Sequence, residues 1–320
     1  MLNLSPKIII LTNLEEDHLD YYRDINQIIE TFQKYTEKLP KNGVLILNAD
    51  DPNLLKLGPR CRTITYGIKD KADVMALNIK ISKDNQKFEL VLRSNFLNHH
   101  RLLKIKLNIP GPFNIYNALA VTTCALSLGV KPEIIQKVLE NFHGIWRRFE
   151  VKELTINDKL LTIISDYAHH PTAVRETIKA AKEFYPNRRV IAVFQPHHRN
   201  RTKKLFNDFV RSFDQADLTI ISEIYDVAGR ENKKDANISS KQLVEAIINY
   251  QKSGTSMRAG ISTQANRSTK KSVWYAANLI ETKKQLLKII RPDDIVLIMG
   301  AGDIYKLASN FKEGAAIAPW

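Results

Sequence analysis

The sequence predicts an α/β protein of two domains, and three observations favour this class. The chain has 320 residues, long enough for two ordinary domains with a core each. Its hydrophobic content of 44% and charged content of 26% are typical of globular proteins. Short apolar segments alternate with segments of helical periodicity, most regularly after residue 150. Such alternation is typical of a parallel sheet with right-handed crossovers.

In the first part of the chain, the sequence predicts strands and one long helix. The apolar segment 7–14 predicts a buried strand, and the segments 43–47 and 62–66 predict two more. A helix is expected over residues 24–39, because isoleucines and aromatic residues recur there on one face. Alternating segments between 74 and 107 predict a small antiparallel section.

Two further helices are expected before the domain boundary. Residues 114–128 predict a buried helix, with Gly129 at the position just after its end. Residues 131–141 predict a second helix that opens at Pro132. We place the boundary at His143-Gly144, which gives domains 1–143 and 144–320.

The second domain shows the regular alternation. Strands are predicted at 160–164, 189–194, 218–222 and 294–299, and helices at 173–185, 203–213, 240–251 and 276–290, with a last helix after residue 303. The segments 227–237 and 253–271 are polar and predict irregular structure.

Polar residues follow three of these strands. The loop Ser165-Asp-Tyr-Ala-His-His-Pro-Thr carries an acid, a phenol and two imidazoles, and the others are 197–202 and 300–303. Because parallel strands end at one edge of a sheet, we expect the three loops to meet there and form a ligand site. The alternative is that Asp166 caps the next helix and the histidines are solvated.

The second of these loops indicates an anionic ligand, and the third is compatible with one. Arg199 and Arg201 carry guanidinium groups, which bind carboxylate or phosphate through two hydrogen bonds. A solvated basic turn is the alternative. The run Gly300-Ala-Gly precedes a helix and allows backbone N–H groups to approach a phosphate, but a tight turn also requires glycine.

Charge and cysteine content limit the functional class. The net charge of +14 favours anionic partners, or reflects a compositional bias of the genome. Cys61 and Cys124 form neither a disulfide framework nor a metal cluster, which fits a reducing cytoplasm. Apolar runs stay short of the roughly 18 residues of a membrane span. A nucleic-acid-binding role is not expected, since no recognised module or aromatic–basic platform occurs.

Several motifs, in order along the chain, resemble those of the Mur ligases. They are Leu11-Thr-Asn-Leu-Glu-Glu-Asp-His-Leu-Asp, Ile109-Pro-Gly with Asn114 and Asn117-Ala-Leu-Ala, Arg147-Arg-Phe-Glu, the Ser165 loop, Phe194-Gln-Pro-His-His-Arg-Asn-Arg-Thr, and Met299-Gly-Ala-Gly-Asp. The resemblance implies part of the central ATPase domain, followed by a Rossmann-like C-terminal domain with a mostly parallel sheet. It also implies ATP and Mg²⁺ as cofactors, and L-alanine and UDP-N-acetylmuramate as substrates joined through an acyl phosphate in cytoplasmic peptidoglycan synthesis.

The same resemblance implies roles for individual residues. His18 matches a histidine at a Mg²⁺ ion, and Asn114 and Asn117 match residues at the adenine. Arg148, His169 and His18 are expected to be catalytic. The remaining matches lie in the second domain: Arg148 at the phosphates, Asp166 at the ribose, and Tyr167, His169, His197 and Arg201 at the amino acid.

The chain also departs from the family pattern. His198 stands where an arginine usually follows the first histidine of the second loop, and Phe113 replaces a histidine. No Gly-x-x-Gly-Lys-Thr phosphate loop and no UDP-sugar domain are found. We therefore expect the C-terminal two-thirds of a ligase, inactive alone, with its N-terminal portion lost or separately encoded. The alternatives are a degenerate homologue that only binds nucleotide or amino acid, and the related murein-peptide ligases.

Overall fold

The structure is a computed structural model that describes residues 2–19, 21–69, 72–82, 85–92, 102–156, 158–226, 237–258 and 272–309. The chain divides into two compact units, Met1–His143 and Gly144–Trp320. Each unit contains a six-stranded sheet in its described part and has hydrophobic residues buried around it.

The sheet of the first unit follows the order of the chain. Its strands are β1 (Ile8–Leu11), β2 (Val44–Asn48), β3 (Arg62–Gly67), β4 (Val74–Ser82), β5 (Asn85–Leu92) and β6 (Leu102–Leu107). Strands β1 to β4 are parallel, and β4, β5 and β6 are antiparallel. The predicted antiparallel section between 74 and 107 is confirmed.

The described part of the first unit also contains three α-helices: α1 (Ile25–Thr36), α2 (Pro112–Ser127) and α3 (Pro132–Glu140). Asp24 caps α1, because its carboxylate accepts a hydrogen bond from the backbone N–H of Gln27 at 3.0 Å. Gly129, just after α2, has a φ of 81°, which confirms its predicted role at the end of that helix. The apolar residues of α2 pack with those of β2 to β6 in one core.

In the second unit, the last of the described strands lies in the middle of the sheet. The strands are β7 (Glu150–Ile156), β8 (Lys159–Asp166), β9 (Val190–Phe194), β10 (Leu218–Ser222), β11 (Ser272–Ala276) and β12 (Ile295–Met299), in the order β11-β10-β9-β12-β8-β7. Only β7 is antiparallel to its neighbour. Met299 pairs with both Asp166 and Phe194, so β8, β12 and β9 end side by side. The expected meeting of three loops at one edge is confirmed.

The helices of the second unit differ from the prediction in detail. They are α4 (Pro171–Phe184), α5 (Arg199–Lys204), α6 (Phe206–Arg211), α7 (Ser240–Arg258), α8 (Leu279–Ile289) and α9 (Tyr305–Ser309). The helix predicted at 203–213 is two short helices, because Leu205 leaves the helical region at φ −103°, ψ 24°. Residues 253–258, predicted to be irregular, extend α7; residues 227–236 and 259–271 lie outside the described residues.

Two strands were missed. β7 alternates polar and apolar residues weakly and lies at the edge of the sheet, so it lacks the apolar signal of the central strands. β11 occupies residues that the prediction assigned in part to a helix beginning at 276. Its residues 272–275 were assigned to neither a strand nor a helix, and α8 in fact begins at Leu279, capped by Asn278.

No described helix is long and apolar enough to cross a membrane. Both cysteines are free and half-buried, and burial raises the pKa of each thiol.

A buried carboxylate, that of Asp51, fixes the loops after β1 and β2. One oxygen accepts from the N–H of Leu14 at 2.8 Å. The other accepts from the N–H groups of Asn53 at 2.8 Å and Leu54 at 3.1 Å. The hydrogen bond from Leu14 to Asp51 therefore fixes the start of the loop that carries His18.

Asp51→Ala should lower the free energy of unfolding of the first unit by about 2–3 kcal/mol, since it leaves buried N–H groups without acceptors. The matched variant Asp24→Ala removes one cap and should cost about 1 kcal/mol. Amide hydrogen exchange on the whole chain measures both. Equal effects would contradict the role given to Asp51.

Candidate functional site

The carboxylate of Asp166 lies at the end of β8 and is 6% exposed. Its Oδ2 accepts from the N–H of Phe149 at 2.7 Å, and its Oδ1 accepts from the N–H of Ala168 at 2.7 Å. Burial raises the pKa of this carboxyl, while the two N–H groups and the charges of Arg148 and Arg147 act in the opposite direction. Each oxygen keeps a further lone pair for a ligand hydroxyl.

The turn that precedes β7 has a backbone conformation that residues other than glycine rarely adopt. Arg147 and Phe149 have φ angles of 54° and 49°, a conformation that costs about 1–3 kcal/mol for each residue. The N–H of Arg148 closes the turn on the carbonyl of Ile145 at 3.1 Å. The bond from Phe149 to Asp166 helps to hold this conformation, which buries Arg147 and Phe149 and exposes Arg148.

Arg147 connects the turn to two other loops. Its guanidinium donates to the carbonyl of Gly300 and lies 4.9 Å from the ring centre of Tyr167 and 4.6 Å from that of Tyr305. Burial lowers its pKa, which Tyr167, Tyr305 and nearby carboxylates oppose. Sequence reasoning missed this residue, although it stands in the Arg-Arg-Phe-Glu motif, because two adjacent arginines do not show which one is buried.

The loop after β8 presents Tyr167 and His169 together. Their rings meet edge to face at 5.2 Å, and Nδ1 of His169 lies 2.9 Å from the carbonyl of Tyr167. The guanidinium of Arg148 lies 5.8 Å from the ring centre of Tyr167. The helix α4 is capped by His170, which accepts from the N–H of Thr172 at 3.3 Å, and Pro171 occupies its first position. The alternative that Asp166 caps this helix is wrong.

The loop after β9 and the first turn of α5 bring His197 and Arg201 together. Nη1 of Arg201 lies 3.5 Å from Nδ1 of His197 and 3.4 Å from its carbonyl oxygen. Arg199 has a different role, because its Nε forms an ion pair with Asp226 at 2.6 Å and its guanidinium also donates to the carbonyl of Ile238. Arg199 therefore does not simply replace the arginine that the family pattern has at position 198.

The glycines after β12 are required by packing. A Cβ on Gly300 would lie 2.7 Å from the carbonyl oxygen of Gln195, and one on Gly302 would lie 2.6 Å from both Oε1 of Gln195 and Cγ of Tyr225. Gln195 also binds this loop through Asp303 at 3.2 Å and Ile304 at 3.2 Å. The tight-turn interpretation accounts for these glycines without a phosphate.

In the first unit, the predicted residues lie at two places. His18 is exposed on the loop after β1, at a φ of 51°, and its Nε2 lies 4.0 Å from a carboxylate oxygen of Asp17. Asn114 and Asn117 lie in the first turns of α2, where Asn117 donates to Oδ1 of Asn114 at 3.4 Å. Asn114 donates to the carbonyl of Pro110 at 2.6 Å.

A cleft with a volume of about 450 Å³ opens at the ends of β9, β10 and β11. Its lining includes Gln195, Ser222, Tyr225, Asn278 and Asp303. It borders the loop after β9 on the side of β10. Local sequence patterns carry no signal for it, because its walls come from four separate segments.

The geometry defines two clusters in the second unit. Arg148, Asp166, Tyr167 and His169 form one cluster around the end of β8, and His197 and Arg201 form the other at the end of β9, with the loop after β12 between their strands. Together they define the class as a two-unit α/β protein with a candidate ligand site at one edge of its second sheet.

Comparisons with known proteins agree with this architecture. The family model described as Mur ligase middle domain matches residues 1–125, and the one described as Mur ligase, glutamate ligase domain matches residues 147–302. The chain belongs to the Mur ligase family.

Individual relatives extend the comparison. The chain is similar to the UDP-N-acetylmuramate–L-alanine ligases of Clostridium tetani (39% identity, 97% of this chain, 62% of the relative) and Persephonella marina (33%, 98% and 63%). The crystal structure of UDP-N-acetylmuramate-alanine ligase MurC from Thermotoga maritima matches with a TM-score of 0.69 and 25% identity, over 97% of this chain and 60% of that chain. The chain thus spans about three-fifths of the length of these relatives.

Asp166→Asn should lower the free energy of unfolding of the second unit by about 1–3 kcal/mol at neutral pH. The asparagine side chain has one acceptor oxygen in place of two, so one of the two backbone N–H groups would lose its acceptor. All three tryptophans follow residue 143, so tryptophan fluorescence in a denaturant titration reports this unit. Asp208→Asn, the same change at an exposed position, should have almost no effect.

The same variant tests the pKa of Asp166. Because the folded chain holds this proton to a higher pH than the unfolded chain, the free energy of unfolding falls as pH rises from the ordinary aspartate range through the raised folded pKa. Asp166→Asn should remove this part of the pH dependence, and Asp208→Asn should keep it. An unchanged profile in Asp166→Asn would contradict the raised pKa.

Proposed function

We propose that this chain provides the nucleotide-binding and amino-acid-binding parts of a ligase that joins L-alanine to the lactyl carboxylate of UDP-N-acetylmuramate. The observation that carries the proposal is the placement of an exposed arginine, Arg148, beside Asp166, with a second arginine, Arg201, beside His197 at the end of a nearby strand. The relatives of that name, which align with 97–98% of this chain, support the same activity.

Each unit, taken by itself, carries groups suited to a nucleotide. In the second unit, Asp166 has acceptor capacity left for ribose hydroxyls. In the first unit, the exposed Asn117 has an amide for the edge of an adenine. Asn114 would fix the amide of Asn117 and approach the base beside it. Arg148, exposed by the turn, would bind the phosphates. ATP supplies the phosphoryl group that activates the carboxylate.

Mg²⁺ binding would need more ligands than His18. Within the described ranges, no group of three or more His, Cys, Asp or Glu side chains could hold a metal ion. The described residues therefore do not form a complete metal site. We propose the exposed imidazole of His18 as a single contributor to an ion that the nucleotide phosphates would hold in the main.

The amino acid would bind between the loops after β8 and β9. Arg201 would pair with its carboxylate, with His197 and Tyr167 as neighbours. Nδ1 of His169 lies 2.9 Å from a carbonyl oxygen, which only accepts, so in the neutral ring the proton would be on Nδ1 and Nε2 would be the basic nitrogen. We propose that Nε2 takes the proton that the amine releases when its nitrogen attacks the activated carbonyl carbon and phosphate leaves.

A second candidate is a homologue that binds these ligands without catalysis. The observation that favours it is the ion pair of Arg199 with Asp226. Because this pair holds Arg199, the segment after β9 has Arg201 to meet a ligand carboxylate, where the family pattern has two arginines. The related murein-peptide ligases are a third candidate.

With UDP-N-acetylmuramate present, the 320-residue chain alone should show no L-alanine-dependent release of phosphate from ATP. Its sequence contains no Gly-x-x-Gly-Lys-Thr run to hold the phosphates. Adding the N-terminal two-fifths of the Clostridium tetani relative as a separate polypeptide should restore release if the proposed ligase is right. No release in the mixture, with both ligands bound, would favour the non-catalytic homologue. Release by the chain alone would contradict the proposed division of the site.

Two arginine variants should separate the two ligands. Arg148→Ala should weaken ADP binding by about tenfold or more and leave L-alanine binding unchanged, because it removes a charge-assisted contact to phosphate. Arg201→Ala should do the reverse. Calorimetry or NMR titration measures both affinities, and Arg211→Ala, at an exposed position of α6, serves as the control. If either variant weakens both ligands equally, the assignment of the two loops is wrong.

A further inference from the structure

The loop Glu223–Asp226 after β10, here named the β10 loop, forms hydrogen bonds with the backbone of the loop after β9, which carries Pro196, His197 and His198. The N–H of Tyr225 donates to the carbonyl of Pro196 at 2.8 Å, and the N–H of His198 donates to the carbonyl of Tyr225 at 3.0 Å. His197 and Tyr225 form a parallel bridge pair. The pairing of β9 with β10 is thus resumed beyond the ends of both strands, at His197.

The side chain of Tyr225 acts on the same residue. Its ring stacks on the imidazole of His197, with centres 5.7 Å apart and planes at 13°. Nη1 of Arg201 lies 3.5 Å from Nδ1 of that imidazole. An orientation imposed on His197 by Tyr225 therefore reaches the cation proposed for the ligand carboxylate.

Asp226 gives the β10 loop a second connection. Its Oδ2 pairs with Nε of Arg199 at 2.6 Å, and its Oδ1 accepts from the N–H of Arg199 at 3.3 Å. Both side chains of the pair are less than a third exposed, so solvent screens this contact less than it screens a surface pair. The segment from His197 to Arg199 is held at both ends.

The β10 loop is itself anchored from three sides. Glu223 accepts from the N–H of Ile224 at 2.8 Å and of Ser240 at 3.2 Å with one oxygen, and from the hydroxyl of Tyr275 at 2.9 Å with the other. Gly302 approaches Tyr225 so closely that a Cβ there would lie 2.6 Å from its Cγ. The ring of Tyr225 consequently has little freedom to move away from His197.

We propose that the β10 loop is the positioning element of the amino-acid site, in which Tyr225 fixes the imidazole of His197, and thereby Arg201, while Asp226 holds Arg199. The positioning follows from the contacts alone. Its effect on L-alanine rests on the function proposed above.

The test uses the whole chain and compares Tyr225→Leu with Tyr225→Phe. The imidazole signals of His197, assigned with His197→Gln, are followed by NMR, and L-alanine affinity is measured on the same samples. Tyr225→Leu should change the His197 signals, because the stacked ring current is lost, and weaken L-alanine binding about tenfold through misplacement of Arg201. Tyr225→Phe keeps the ring and should retain both properties. Tyr250→Leu, a tyrosine loss on α7, is the matched control.

A milder variant keeps the test decisive if Tyr225→Leu fails to fold. Asp226→Asn weakens the hold on Arg199 and should also change the His197 signals, by a smaller amount. Unchanged His197 signals in every folded variant would overturn the proposal. Changed signals in a chain that binds no L-alanine even without substitution would support the positioning and contradict the proposed ligand instead.

Discussion

The carboxylate of Asp166 is the interaction on which the candidate site depends. The carboxylate accepts hydrogen bonds from the N–H of Phe149, in the turn before β7, and from the N–H of Ala168, in the loop after β8. The backbone carbonyl of Asp166 accepts a third, from the N–H of Gly300 in the loop after β12, at 3.2 Å. Three segments far apart in sequence therefore meet at one residue. The arrangement has a cost, because the charge is buried and its pKa is raised, and the N–H groups and neighbouring arginines offset that cost.

The order of the strands explains why so few residues can hold the site. Strand β12 lies between β8 and β9. The loop after β12, residues 300–304, here named the β12 loop, therefore connects the loop after β8 to the loop after β9. Arg147 binds that loop from the side of β8, through Gly300, and Gln195 binds it from the side of β9, through Asp303 and Ile304. The β10 loop extends the same scheme by one strand, through Tyr225. Rigid contacts of this kind place exposed groups such as Arg148 where a ligand can meet them.

Much of the fold follows from the sequence, since strongly apolar strands such as β9 and β12 and capped helices such as α1 carry local signals. The edge strands β7 and β11 carry weak signals and were missed. Motifs identified the loops of the site, but not which of Arg147 and Arg148 is buried, nor that Arg199 is paired with Asp226. Those outcomes depend on positive φ angles and on contacts between distant segments, neither of which shows in local periodicity.

The central claim is that the loops after β8 and β9 form one ligand-binding edge, with nucleotide at Asp166 and amino acid at His197 and Arg201. An NMR titration of the isotope-labelled whole chain, first with ADP and then with L-alanine, tests it most directly. The account predicts that ADP shifts the backbone amides of 147–149 and 166–168, and that L-alanine shifts those of 167–169 and 197–201. Shifts confined to the cleft lined by Ser222 and Asn278, or shifts from neither ligand, would contradict it.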